Sequence, residues 1–274
     1  MARKIVEEKE MSFLDHVEDL RWHLIRSTLA IILTATVAFI FKGIIFDKIL
    51  FAPKNPDFFT YRFFCKVSQF FGTDGLCIEE IPFAFQSLAM AEQFSVHIWT
   101  SITVGFIISF PYIIYEFWKF ISPGLYDNER KNARSFIAIS SFLFFLGVLF
   151  GYYVVTPLSV NFLGNYSVSD AVARNIKIGS YIALVRSSLL ASGLIFELPI
   201  IIYFLTKMGL VTPSFLKTYR KHALVVVLIL AAIITPPDII SQIIVAIPIL
   251  ILYEVSIYIS KVVIKREQKN KTYA

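Results

Sequence analysis

The sequence predicts an all-α integral membrane protein with six transmembrane helices, cytoplasmic termini and short fifth and sixth spans. Three observations carry this. Of 274 residues, 57% are hydrophobic and only 17% charged, where a soluble domain has about 25% charged. The apolar residues come in blocks of spanning length, with a mean hydropathy of +0.69, and the ten-residue alternation of a membrane barrel is absent. Finally, Lys and Arg gather between the blocks on alternate sides.

The blocks place spans at about 24–46, 94–117, 135–157, 181–205, 223–236 and 239–260. Residues 1–23 are a charged, amphipathic cytoplasmic helix, 24–260 the transmembrane domain, and 261–274 a basic cytoplasmic tail. Basic residues crowd the N-terminus, the 2–3 connection (Lys119, Arg130, Lys131, Arg134), the 4–5 connection (Lys207, Lys217, Arg220, Lys221) and the tail. The segment 161–180 has only Arg174 and Lys177, which puts both termini inside. No small-residue cleavage site follows the charged N-terminus, so no removable signal peptide is expected. The net charge of +6 is scattered between spans and forms no stripe for nucleic acid.

The first outer loop, about 47–93, is too long for a turn. Pro53, Pro56 and Pro82 interrupt it, and Phe58, Phe59, Tyr61, Phe63 and Phe64 suit a structure lying on the outer interface. Cys65 and Cys77 share this loop. They pair as a disulfide if this side is oxidising, or stay as buried free thiols. No His is spaced with them as a zinc ligand, so neither metal nor cofactor is expected. From Ala223 to Thr235 a helix reaches only about 20 Å against a hydrocarbon core of about 30 Å, and Pro248 interrupts the sixth span.

Enzyme signatures are missing. His16-Val-Glu-Asp-Leu20 lacks the second His of a zinc motif, and there is no serine elbow, phosphate loop or dinucleotide fingerprint. In the N-terminal helix Phe13, Val17, Leu20 and Leu24 form one apolar face, with Ser12 and Asp15 as a capping box. Its other face carries Asp15, Glu18 and Asp19 beside Arg21. Either this is a solvated face with local ion pairs or a dock for a cationic peptide, since carboxylates pair bidentately with guanidinium. In the 2–3 connection Pro123-Gly124 turns the chain, Asp127 or Asn128 caps the next helix, and Glu129 adds a carboxylate, as does Glu116. At the 5–6 turn Asp238 is placed to cap through Ser241, while Thr235 and Gln242 are polar neighbours.

Glu197 stands inside the fourth apolar block, where a charge costs about 2.5–3.5 kcal/mol on the mildest scale. It is a functional candidate or makes an internal hydrogen bond. Arg186, three turns earlier, is expected to snorkel outward.

Four motifs resemble one family: His16-Val-Glu-Asp-Leu-Arg21, Phe120-Ile-Ser-Pro-Gly-Leu-Tyr-Asp-Asn-Glu-Arg130, Phe196-Glu-Leu-Pro199 and Thr235-Pro-Pro-Asp-Ile-Ile-Ser-Gln242. In this order they are similar to TatC, the multispanning receptor of the twin-arginine translocase. The resemblance implies a non-enzymatic, concave bundle in the bacterial inner membrane that exports folded proteins using the proton-motive force. Its implied site for twin-arginine signal peptides is Asp19, Glu18, Arg21, Phe120, Tyr126, Glu129 and Arg130. Glu197, Thr235 and Gln242 correspond to contacts with single-span TatA/TatB-type subunits, and Pro53 to a family proline. Implied partners are these subunits, the signal peptides, membrane lipid and further copies of the chain, without nucleic acid. Asp19 stands where the family usually has Glu, so Glu18 shares the contact, and the first outer loop is longer than usual. The alternative is a proton-coupled small-solute transporter with Glu197 as carrier; no internal repeat supports it.

Overall fold

The computed structural model describes residues 13–70, 72, 77, 81–121, 133–169, 174–235 and 238–272. Helix α1 (Phe13–Ile40) is unbroken, so no joint separates the N-terminal amphipathic segment from the first span. Its apolar stripe does not pack on protein: Val17, Leu20 and Leu24 are exposed. A neighbouring side, carrying His23, Thr34 and Ala35, lies against α3 (Glu92–Ile121), which continues through Pro111. Close approach is set by Gly105, where an added Cβ would lie 2.7 Å from the Ala35 backbone nitrogen. With the backbones so near, the Thr34 hydroxyl donates to the Gly105 carbonyl at 3.0 Å and lies 2.7 Å from the Ser109 hydroxyl. Such small-residue, hydroxyl-bonded seams hold helices together where burial from water gives no drive.

The third crossing is α4 (Ala133–Phe150), a π-helical turn at Gly151–Val155 and α5 (Thr156–Asn165). The fourth is α6 (Ile178–Phe196) and α7 (Leu198–Lys207). Gly147 lets these two crossings touch; a Cβ there would come within 2.6 Å of the Ser192 carbonyl oxygen. Pro199 has no N–H to offer the carbonyl one turn earlier, and the chain breaks between α6 and α7 at Glu197.

Helix α8 (Pro213–Thr218) leads to α9 (Arg220–Ile234), whose 15 residues make the fifth crossing short. At about 1.5 Å per residue it spans about 22 Å. The sixth crossing is not short. Helix α10 runs 34 residues, Ile239–Thr272, with Ser241–Arg266 long and apolar enough to cross. Pro248 lies inside it without ending it, and the Lys, Arg, Glu and Gln of the basic tail are good helix formers that carry the helix onward. Among the described residues, five helical stretches reach spanning length: Val17–Ile40, Glu92–Ile121, Arg134–Asn165, Ile178–Lys207 and Ser241–Arg266.

The first long loop is structured. A π-helical turn (Ile44–Leu50), a 3-10 turn (Ala52–Lys54) and α2 (Phe59–Phe70) close the end of the bundle away from the chain termini. Strand β1 (Ala84–Gln86) pairs in parallel with β2 (Asn175–Lys177), with Phe85 opposite Ile176. A core of Leu50, Tyr61, Ile81, Phe83, Val160, Tyr181 and Val185 lies beneath.

Candidate functional site

At the terminal end of the bundle, α1 presents Glu18, Asp19 and Arg21 to the outside. His23, one turn beyond Asp19 on the same face, turns inward. Its Nδ1 lies 2.6 Å from Oε2 of Glu116 on α3; an ionised carboxylate only accepts, so Nδ1 carries the proton. Arg26 and Lys119 each approach Glu116 to 3.7 Å. Glu116 is thus buried and neutralised inside the α1–α3 seam. It lies at the same end of the bundle as Glu18 and Asp19, but its position on the helix points it at α1 instead of outward. The ring of Phe120 meets His23 edge-on, 6.3 Å between centroids, which sets Phe120 beside the helix that carries Asp19. Tyr126, Glu129 and Arg130, the Pro123-Gly124 turn, the Asp127 or Asn128 cap and Ser12 of the capping box lie outside the described residues.

Glu197 occupies the break between α6 and α7 and is 7% exposed. Its Oε2 accepts a hydrogen bond from the Ser140 hydroxyl at 2.7 Å, reaching across to α4. Oε1 is buried and, among the described residues, has no partner. Arg186, also on α6, is half-buried, and its Nε likewise has no partner among the described residues.

Between α9 and α10 the Gln242 amide donates to the Leu228 carbonyl at 3.0 Å, while the Thr235 hydroxyl bonds back to Ala231 at 2.8 Å. Asp238 accepts from the Ser241 amide at 2.8 Å, an N-cap on α10. The Gln242 bond ties the two helices together, while the Thr235 and Asp238 bonds finish their facing ends. Pro236 and Pro237 lie outside the described residues.

In the first long loop, Cys65 and Cys77 are joined as a disulfide. Pro53 is buried and its carbonyl accepts from the Tyr61 hydroxyl at 2.8 Å. Burial, with Tyr181 nearby, pushes the Tyr61 phenol far above its ordinary pKa, so it remains a neutral donor. Among the described residues no group of His, Cys, Asp or Glu is arranged to hold a metal.

The described site therefore includes an exposed acidic helix end, a buried carboxylate with one bare oxygen, and a hydrogen-bonded hairpin. Sequence reading missed the His23–Glu116 pair. The residues are 93 apart in the chain, and only the shared end of two antiparallel helices brings them together.

The family profile for TatC, the Sec-independent protein translocase protein, matches residues 15–248. The chain belongs to the TatC family. The TatC of Blattabacterium sp. subsp. Periplaneta americana is 45% identical over 263 residues, covering 95% of this chain and 99% of that protein. The TatC of Aquifex aeolicus is 33% identical, covering 94% and 98%. A crystal structure of the twin-arginine translocase receptor TatC superposes with a TM-score of 0.68 at 34% identity, covering 90% of this chain and 99% of that one. A second, in the detergent DDM, gives 0.69 at 33% identity. TatC membership makes this a multi-pass protein of the bacterial inner membrane and a non-enzymatic component of the Sec-independent translocase, associated with other Tat subunits. It places the chain among protein translocases, away from small-solute transporters.

Proposed function

We propose that this chain is the receptor of its translocase, with both termini in the cytoplasm. In this reading Glu18 and Asp19 on α1, with Phe120, Tyr126 and Glu129 of the 2–3 connection, hold the paired arginines of a signal peptide. Arg21 and Arg130 orient the carboxylates. The observation that carries the reading is the contrast between neighbouring acids. Glu116 is engaged by His23, Arg26 and Lys119, whereas Glu18 and Asp19 stay exposed, with no ion pair among the described residues.

Magnitudes limit what this contact does. An exposed ion pair contributes about 0.2–1 kcal/mol, so two guanidiniums on a few carboxylates select cargo more than they hold it. The apolar part of the leader supplies the remaining affinity by lying against the bundle in lipid.

Glu197 offers its bare oxygen to a polar group on a single-span TatA/TatB-type subunit, and the hairpin bearing Thr235 and Gln242 provides a second docking place. Recruited subunits and further copies of the chain then build the passage, driven by the proton-motive force.

Site-specific crosslinking of a twin-arginine leader to the protein in native membranes tests the docking site. Asp19→Ala and Glu129→Ala should each weaken the crosslink a few-fold, and a twin-lysine leader should crosslink poorly. Unchanged crosslinking in both variants, or equal capture of the two leaders, overturns the assignment.

A further inference from the structure

Helix α2 sorts its side chains into three stripes. At about 100° per residue, Thr60, Tyr61, Phe64 and Ser68 fall on one side, and Thr60, Tyr61 and Ser68 are buried. The Thr60 hydroxyl donates to the Tyr153 carbonyl and the Tyr61 hydroxyl lies 3.0 Å from that of Pro157, fastening α2 to the end of the third crossing. Phe59, Phe63 and Phe70 fall within about 40° of one another on the far side and are 68%, 52% and 86% exposed. Next to them, on one flank only, run Arg62, Lys66 and Gln69, all exposed.

Large exposed aromatics in a row call for a covering, and the surroundings identify it. The Phe59 ring packs against Tyr153 at 6.1 Å and against Phe63 at 6.3 Å. Tyr153 is itself exposed on the π-helical turn of the third crossing. The aromatic stripe is therefore continuous with the exposed surface of an apolar crossing of spanning length. Beside it, Arg62 and Lys66 have long stems that let their charges rise to phosphate level while the rings stay lower. An apolar aromatic side bordered by cations is the pattern of a helix lying in a bilayer interface.

We propose that α2 is an interfacial anchor: Phe59, Phe63 and Phe70 sink into the leaflet at the loop end of the bundle, and Arg62 and Lys66 contact lipid phosphates. The occupant of this face is phospholipid, not a partner protein or a second copy. The proposal rests neither on the receptor reading nor on which end of the bundle is cytoplasmic.

Single-cysteine nitroxide scanning of the full chain in vesicles of phosphatidylethanolamine and phosphatidylglycerol decides the matter, because Cys65 and Cys77 are bonded to each other. Labels at Phe59→Cys, Phe63→Cys and Phe70→Cys should collide several-fold more with oxygen than with a water-soluble nickel chelate. Labels at Arg62→Cys, Lys66→Cys and Gln69→Cys should show the reverse or a balance. Free access of the chelate to all six positions means α2 stands in water and overturns the proposal. Exclusion of both reagents from the three Phe positions means protein covers them, which overturns it equally. Each label replaces an exposed side chain, and an intact Cys65–Cys77 disulfide in each variant reports that the loop has folded.

Discussion

Two buried carboxylates occupy opposite situations in this bundle. Glu116 lies at the terminal end between α1 and α3, with His23 at 2.6 Å and Arg26 and Lys119 at 3.7 Å. Glu197 lies at the break in the fourth crossing, with one serine hydroxyl at 2.7 Å and one oxygen without a partner among the described residues. Burial alone does not mark an acid as functional. Glu116 is surrounded by charge of the opposite sign, so its capacity to bind is taken up within the fold. Glu197 has acceptor capacity left, which the fold itself does not use.

The difference is open to measurement. Glu116→Ala should have the largest effect, because it leaves three basic groups without their anion; a loss of about 3 kcal/mol is expected, at the low end for a broken buried pair because Arg26 and Lys119 are half-exposed. A lowered melting temperature in detergent and poor accumulation in membranes would report it. A double-mutant cycle of His23→Ala with Glu116→Ala should give a coupling near 1.5 kcal/mol, whereas additive effects would mean that the 2.6 Å contact contributes little. Ser140→Ala removes the hydroxyl donor to Glu197 and should destabilise by about 1 kcal/mol in the same melts.

Glu197→Gln should be smallest in stability, within about 0.5 kcal/mol, since the amide oxygen still accepts from Ser140. Its effect should fall instead on contact with other Tat subunits, read as loss of crosslinks from a probe at the exposed Ile201, one turn further along α7. Retention of those crosslinks would assign Glu197 to internal packing.

The contrast also shows what could be read from the sequence. Long apolar blocks separated by basic connections sufficed for a helical membrane bundle, because the bilayer fixes the length of each crossing. Glu197 stood out for the same reason, an acid within an apolar run. Glu116 gave no such signal: it sits near the end of its block, where carboxylates are ordinary, and its partners come from another helix. The β1–β2 pairing was also illegible, since three residues on each side cannot establish an alternating pattern, and its strands are far apart in sequence. The apolar run marked the sixth span but not how far its helix continues into the basic tail. Helix formation does not depend on hydropathy, and the residues after Ser260 include good helix formers.

Helix α1 has one further consequence. It is held to α3 near one end by His23 on Glu116, in the middle by Thr34 on Ser109, and at the far end by Phe39 stacked on His97 at 3.8 Å. Twenty-eight residues without a joint make a stiff strut of about 42 Å. A load applied near Asp19 therefore meets no joint at which it could be absorbed locally, and is shared along the whole length of α1 with the three attachments to α3.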